Sequence, residues 1–211
     1  MPKAPATPRE KKKQPITPAK AVPADRPILE FKTQAEWRTW LKKHHAIHTG
    51  IWLRFYKKGS WIPTVYYPEA LDEALCHGWI DGQARSLDEA SYLQRFTPRR
   101  PKGLWSKINI GHIERLTREG KMMPRGIQEV EAAQKDGRWD AAYAGQRDAK
   151  VPEDFLKRLA KDKKAFAFFN TLSRQNHFAV YFRLTTAKKP ETRERRMTVI
   201  LETLARGEKL A

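Results

Sequence analysis

The segment from Glu69 to Asn109 constrains the fold more than any other part of the chain, because a helix, a glycine-bounded turn, alternating strands and a basic loop follow one another within it. Its charge is divided rather than mixed. The part up to Glu89 holds six acids against Arg85, and the part from Ala90 onward holds five bases and no acid. Either the two parts neutralise each other in the fold, or the basic part faces a partner.

The pattern of residue types within this segment and just before it predicts a helix and a small sheet. Pro68 suits the first turn of a helix and Gly78 suits its end. The stretches 79–85 and 91–97 read as two strands joined by a turn, and 51–56 alternates apolar and amphipathic residues as a third strand. Neighbouring elements of a chain usually pack together, so a three-stranded antiparallel sheet is the economical arrangement.

Capping residues predict the helix starts. Thr33 and Glu36 form a capping box before a helix that carries two tryptophans on one face. Ser106 can cap a second helix, and Pro124 and Pro190 suit the first turns of two more.

Helical periodicity dominates after residue 101, so the predicted fold class is α+β: a small antiparallel sheet of about three strands packed with helices, then a helical C-terminal portion. The polar stretch 141–151 separates two runs with apolar periodicity. The predicted organisation is a disordered, basic, Lys/Pro-rich tail at 1–27, an α+β core at 28–140, a linker at 141–151 and a helical subdomain at 152–211.

The composition limits which binding partners and which cellular compartment are expected. A net charge of +18 biases the protein toward anions, including nucleic acid, which the basic tail could contact. A single cysteine excludes an internal disulfide and favours a reducing compartment. The chain has no apolar run long enough to span a membrane and no secretory signal, so a cytoplasmic location is expected. Oligomeric state is left open.

Residue types with catalytic potential are present without a catalytic spacing. Cys76, His77 and Asp81 resemble a nucleophile, base and acid, but neighbouring residues on a helix point about 100° apart and do not face each other. His44 and His48 lack a third ligand at metal-binding spacing. We therefore assign no catalytic residue, no metal and no cofactor, and expect a protein that is not an enzyme, with an enzyme of undescribed type centred on Asp81 as an alternative.

The basic loop that ends this segment is the candidate binding site. Prolines restrict its backbone, arginines bind phosphate or carboxylate in bidentate fashion, and the next helix begins with free N–H donors. The competing interpretation pairs Asp81, Asp88 and Glu89 with the arginines inside the fold. A basic loop with an aromatic residue also suits single-stranded nucleic acid. The candidate ligand-binding residues are Asp81, Arg99, Arg100, Trp105, Ser106, Lys107 and Asn109.

Three motifs give the chain a family resemblance. They are ALDEALCHGWIDG at 70–82, FTPRRP with WSKIN at 96–109, and AKKPETR with two further arginines at 187–196. In this order they resemble the YdeI/OmpD-associated, or bacteriocin-protection, family of bacterial proteins, over about residues 30–208. His77 stands where the family is expected to carry a large apolar or aromatic residue.

The resemblance implies a stress-response role in tolerance of bacteriocins and cationic antimicrobial peptides, with no established reaction or cofactor. Because a chain of +18 repels cationic peptides at long range, an indirect role through an anionic ligand or protein partner fits the charge better than direct capture. We therefore expect a non-enzymatic binding protein with an anion or partner site at the basic loop. The alternative is a nucleic-acid-binding protein that uses the tail and the loop at 99–107.

Overall fold

The computed structural model describes residues 26–210. All but the last two residues of the predicted tail at 1–27 lie outside this range. Among residues 26–210, no helix is both long enough and apolar enough to cross a membrane.

A mixed four-stranded sheet lies at the centre of the N-terminal part. Its strands are β1 (Ile28–Leu29), β2 (Ile51–Tyr56), β3 (Trp79–Ser86) and β4 (Ser91–Pro98). They lie in the order β1-β2-β4-β3, with β1 parallel to β2 and the other neighbours antiparallel. The predicted α+β class and its three strands are confirmed. The additional strand β1 makes the sheet mixed, and two residues are too few to show an alternation in sequence.

Helices α1 (Gln34–His44) and α2 (Tyr67–Cys76) pack against the sheet. The shared core is aromatic, and the indole nitrogen of Trp37 donates to the carbonyl of Ala70 on α2 at 3.1 Å. This core contains buried side chains of α1, α2 and three strands, namely Trp37, Leu41, Ile51, Leu53, Phe55, Ala70, Ala74, Trp79 and Phe96.

The predicted cap of α1 is present, with one difference. The Thr33 hydroxyl accepts from the backbone N–H of Glu36 at 3.2 Å, as expected. The Glu36 carboxylate accepts from the backbone N–H of Lys32 at 2.8 Å rather than from that of Thr33. Both bonds satisfy donors at the start of the helix, so the motif fixes the helix start as predicted.

Helices α3 (Lys107–Arg118) and α4 (Pro124–Lys135) pack on the other side of α2. Gly126 of α4 lies so close to the carbonyl of Cys76 that a Cβ atom there would overlap it. A glycine is therefore required where α4 meets the end of α2. A second core forms here from Leu71, Leu75, Cys76, Trp105, Ile113, Leu116, Ala133 and Ala142.

The C-terminal part is helical, as predicted. It consists of α5 (Glu153–Leu159), α6 (Lys163–Asn170), α7 (Arg174–Thr185) and α8 (Pro190–Ala205), and Pro190 opens α8. The four helices share a third core that includes Phe155, Leu159, Phe169, Val180, Leu184, Met197, Ile200 and Leu204.

The segment 136–152 joins the two parts and contacts both. Tyr143 exchanges backbone hydrogen bonds with the start of α3, donating to Trp105 at 3.0 Å and accepting from Lys107 at 2.9 Å. Its ring packs edge-on against Phe182 of α7, with centroids 4.9 Å apart. The predicted boundaries at 140 and 151 stay predictions. The segment fixes the position of the α3 N-terminus relative to the C-terminal helices.

Candidate functional site

Among the described residues, the acids at 69–89 form no ion pair with the bases of the basic half at 90–109. Glu73 accepts from Arg38 and Asp72 accepts from Arg115, in both cases at 2.6 Å. Asp88 pairs with Arg54 of β2 at 2.9 Å. Asp81 accepts a hydrogen bond from the hydroxyl of Tyr67 at 2.9 Å.

The arginines of the basic half lack such partners. Within residues 26–210, the guanidinium groups of Arg95, Arg99 and Arg100 form no ion pair and no hydrogen bond. The interpretation that Asp81, Asp88 and Glu89 neutralise these arginines is therefore wrong. Asp81 instead accepts from Tyr67 of α2, and Asp88 pairs with Arg54 of β2.

These arginines line a single cavity of about 360 Å³ beside the end of the sheet. Asp81, Arg99 and Arg100, all predicted site residues, lie on its wall. The wall is formed by β3, β4, the turn after β4 and the loop after α4. Its residues are Ile80, Asp81, Gly82, Gln83, Arg95, Thr97, Arg99, Arg100, Gly103, Leu104 and Arg138.

Arg99 is held in a fixed place by the fold. Its backbone N–H donates to the carbonyl of Gly78 at 2.9 Å, which continues the pairing of β4 with β3 beyond the last strand residue. Its guanidinium carbon lies 3.5 Å from the ring centroid of Trp105, a close cation–π contact. The position of the charge is therefore set by the backbone and by the indole beneath it.

The environment of Arg99 disfavours its charge. Only 7% of the residue is exposed, and one terminal nitrogen, Nη2, is buried without a hydrogen-bond partner. Burial lowers the pKa of Arg99 to about 10, against the opposing attraction of Glu129, Tyr143 and Asp81. The side chain stays cationic near neutral pH, with a donor unsatisfied in the absence of an external acceptor.

A β-bulge positions Asp81. Asp81 pairs with Phe96 and Ala84 pairs with Gln94, so β3 has one residue more than β4 between these pairs. The side-chain amide of Gln94 donates to the carbonyl of Gly82 at 2.8 Å and so satisfies an acceptor that the bulge removes from the ladder. The bulge places Asp81, Gly82 and Gln83 on the cavity wall.

A tight turn forms the opposite lip. The N–H of Gly103 donates to the carbonyl of Arg100 at 2.9 Å, with Pro101 at the second position and Lys102 at φ 60° at the third. This is the pattern of a type II turn, in which a non-glycine residue at the third position is strained. Arg138 bonds the carbonyl of Gly103 at 3.0 Å and holds the turn against the loop after α4.

The other predicted site residues lie outside the cavity. Trp105 is 2% exposed and lies beneath Arg99, so its ring is not open to a nucleic-acid base. The Ser106 hydroxyl caps α3 by accepting from the N–H of Asn109 at 3.2 Å. Lys107 is exposed and Asn109 is half-buried in the first turn of α3. The structure thus brings together three of the seven predicted residues on the cavity wall and places the other four outside it.

Sequence reasoning missed Arg95, Thr97 and Arg138 as members of the wall. Arg95 and Thr97 of β4 and Arg99 just beyond it are spaced by two residues, and this period places side chains on one face of a strand. That alternation could have identified the first two, since 91–97 was already predicted as a strand. No local signal identifies Arg138, which reaches the cavity only through the tertiary fold.

The residues with catalytic potential do not form a relay. The Cys76 thiol is buried, and burial together with nearby Glu73 and Asp72 raises its pKa to about 12. The imidazole Nδ1 of His77 lies 2.9 Å from the carbonyl of Glu73, and Asp81 is bonded to Tyr67. Cys76 therefore keeps its proton and behaves as a small buried apolar side chain.

The charged turn at 188–196 serves as a helix start. Arg193 pairs with Asp154 at 2.7 Å and Glu194 with Arg158 at 2.5 Å, which joins α8 to α5. These pairs explain the motif within the C-terminal part.

Comparison with known proteins gives two family matches. Residues 29–129 match a domain of unknown function, DUF8412, and residues 148–207 match the family described as bacteriocin-protection, YdeI or OmpD-associated. The cavity, except for Arg138, is built from residues in the first match. No curated protein and no solved structure matches the chain. The expected resemblance is confirmed in the C-terminal part: over residues 148–207, the chain carries a domain of the bacteriocin-protection, YdeI/OmpD-associated family.

Proposed function

We propose that this chain is a non-enzymatic binding protein that holds an anionic group in the cavity between β3, β4 and the turn at 100–103. One observation carries the proposal. Arg95 and Arg99 line the cavity, and each has a guanidinium nitrogen that is buried and without a hydrogen-bond partner among the described residues.

The physical argument is that of an unsatisfied buried charge. Removing a guanidinium from water costs roughly several kcal/mol of free energy, unless an anion and hydrogen bonds replace the lost solvation. Structural arginines of this chain, such as Arg54, have such partners. An anion in the cavity would supply them to Arg95 and Arg99, with Arg100 at the rim adding a third, exposed charge.

In the context of bacteriocin protection, the charge favours an indirect role. A protein of net charge +18 repels cationic peptides and attracts anions. An anionic ligand or partner is therefore the molecule through which the protein would act.

The test is calorimetric titration of the full chain with inorganic phosphate at constant ionic strength. Arg99→Met is the test variant and Arg54→Met the matched control, since both lose one charge. Loss of a charge-assisted bond lowers affinity by about tenfold or more, so we expect this loss in Arg99→Met alone. Equal affinities in the two variants, or no binding by the wild type, would overturn the proposal.

Nucleic-acid binding is a second candidate, supported by the exposed bases Arg100 and Lys102 in the turn after β4 and Lys107 at the start of α3. Because Trp105 is buried, such binding would rest on phosphate contacts without base stacking from this residue. It predicts affinity that falls steeply with salt, by about one power of salt concentration per phosphate neutralised. Filter binding of single-stranded DNA at two ionic strengths tests it, and absence of retention at the lower one removes it.

A further inference from the structure

The cavity has a negative group as well as positive ones. Asp81 lies on the same wall surface as Arg95, Arg99 and Arg100, and its charge acts on Arg99, yet it forms no ion pair with any of them. The hydroxyl of Tyr67 donates to Oδ2 of Asp81 at 2.9 Å and fixes the carboxylate. Among the described residues, no donor bonds the other oxygen, Oδ1. A carboxylate and a group of guanidiniums therefore face one space without neutralising each other.

The size and the rim of the cavity indicate which other groups a ligand would carry besides the anion. A volume of about 360 Å³ is roughly that of a dozen waters, which exceeds inorganic phosphate. Ile80 and Leu104 add apolar surface, and Leu104 is 41% exposed at the rim. The space accommodates an anion, a donor group and a short carbon skeleton.

We propose that the cavity binds an organic phosphate that carries a hydroxyl or ammonium donor close to the phosphate. The phosphate oxygens accept from Arg95 and Arg99, since guanidinium groups match phosphate oxygens in pairs. The donor reaches Oδ1 of Asp81, and the carbon skeleton lies along Ile80 and Leu104. This inference rests on the proposed function, because it requires the anion site to exist.

A phosphate is favoured over a carboxylate by the number of donors. The guanidinium groups of Arg95, Arg99 and Arg100 line this space without a pairing residue among those described, whereas Arg138 is already bonded to Asp136 and to the carbonyl of Gly103. A carboxylate has two oxygens, whereas a phosphate monoester has three terminal oxygens and up to two charges. A phosphate can therefore accept hydrogen bonds from more of the guanidinium groups on this wall than a carboxylate can.

The experiment is titration of the full chain with methyl phosphate, which lacks a donor, and with 2-aminoethyl phosphate and glycerol 1-phosphate, which carry one. The variants are Asp81→Asn and, as a control with the same change of charge, Asp88→Asn, whose carboxylate pairs with Arg54. Circular dichroism checks that both are folded.

In the wild type and in Asp88→Asn, we expect the two donor-bearing phosphates to bind about tenfold more tightly than methyl phosphate. In Asp81→Asn this preference should disappear, while affinity for methyl phosphate stays the same or rises. Equal binding of all three phosphates by the wild type would overturn this inference and leave the anion site intact. Binding of none would overturn both this inference and the proposed function.

A further arm separates a free phosphate from a lipid headgroup. Vesicles of phosphatidylcholine with and without phosphatidylinositol 4-phosphate, whose phosphate monoester lies beside ring hydroxyls, are sedimented with the protein. Co-sedimentation that requires phosphatidylinositol 4-phosphate and is lost in Asp81→Asn identifies a headgroup as the source of the ligand. Binding of soluble 2-aminoethyl phosphate without co-sedimentation identifies a free organic phosphate.

Discussion

Arg54 and Arg99 lie on or next to neighbouring strands of one sheet, and both stack on an aromatic ring, yet their surroundings differ. Arg54 donates from Nε to the Ser91 hydroxyl at 3.1 Å and from Nη2 to Asp88 at 2.9 Å, above the ring of Tyr56. Arg99 lies deeper, above Trp105, with Nη2 buried and unbonded. The first guanidinium is satisfied by the fold, and the second is positioned by the fold and left without an acceptor.

The difference shows what distinguishes a structural arginine from a binding one. Local composition does not distinguish them, since Arg54 and Arg99 both lie in segments rich in charged residues. The distinction is whether the fold supplies the anion. For Arg54 it does, through the turn at Asp88, and for Arg99 it does not. A protein can tolerate the second arrangement where an external group completes it.

The largest expected effect comes from removing the ring beneath each arginine. Trp105 is a core residue of 2% exposure, so Trp105→Ala should lower the free energy of unfolding by about 3–5 kcal/mol. Tyr56 is only partly buried, and Tyr56→Ala should cost about 1 kcal/mol. Urea denaturation of both variants measures this. Similar losses in the two variants would show that the two rings contribute equally to stability, which would contradict the difference in burial on which this comparison rests.

Replacing the arginines themselves should affect stability differently. Arg99→Met removes a buried unpaired charge, so the free energy of unfolding should stay the same or rise by up to about 2 kcal/mol. Arg54→Met removes hydrogen bonds to Ser91 and Asp88 and should lower it by about 1 kcal/mol. Thermal and urea unfolding without added anion measure the pair. A large loss in Arg99→Met would mean that the fold already satisfies this side chain.

His77 offers a third buried base for comparison. Burial lowers its pKa below 6.5, with the nearby His45 adding to the shift, while its bond to the Glu73 carbonyl opposes it. In the window between the folded pKa and 6.5 the unfolded chain binds more protons. The contribution of His77 to stability is therefore complete above pH 6.5 and falls as the pH drops through this window.

Urea midpoints measured from pH 7.5 down to pH 5 test this, with His77→Gln as the comparison. The wild type should lose more stability than the variant across this range. Parallel curves would show that His77 titrates in the folded state as it does in the unfolded chain.

The smallest expected effect concerns the turn that bounds the cavity. Lys102 has φ 60°, which favours glycine. Lys102→Gly should therefore raise the free energy of unfolding by about 0.5–1 kcal/mol, or leave it unchanged where the flexibility of glycine in the unfolded chain offsets the relieved strain. Phosphate affinity should stay within about twofold, since Lys102 does not line the cavity. A strong loss of affinity would assign the lysine a direct part in binding.

Much of the fold follows from local signals, and the candidate site follows only in part. Caps at Thr33 and Ser106 and first-turn prolines at Pro124 and Pro190 predicted four helix starts, and residue pattern predicted three strands, because both signals depend on neighbours within a few residues. The strand β1 was missed because it is too short to carry a pattern.

The site depends on contacts that sequence does not contain. The role of Arg99 is decided by Asp88 pairing with Arg54 and by Trp105 being buried, and both are tertiary facts. Arg138 reaches the cavity across the fold. The sequence could therefore indicate that arginines gather near Asp81, but not which of them remain unpaired.

The most direct test of the central claim observes the arginine side chains themselves. Nitrogen-15 NMR of the guanidinium groups in the full chain is recorded while phosphate is added against chloride at equal ionic strength. The account predicts selective, saturable shifts for Arg95 and Arg99, with Arg54 unchanged. Equal small shifts at all three, or none, would contradict it, because the guanidinium groups of Arg95 and Arg99 would then not be the anion's partners.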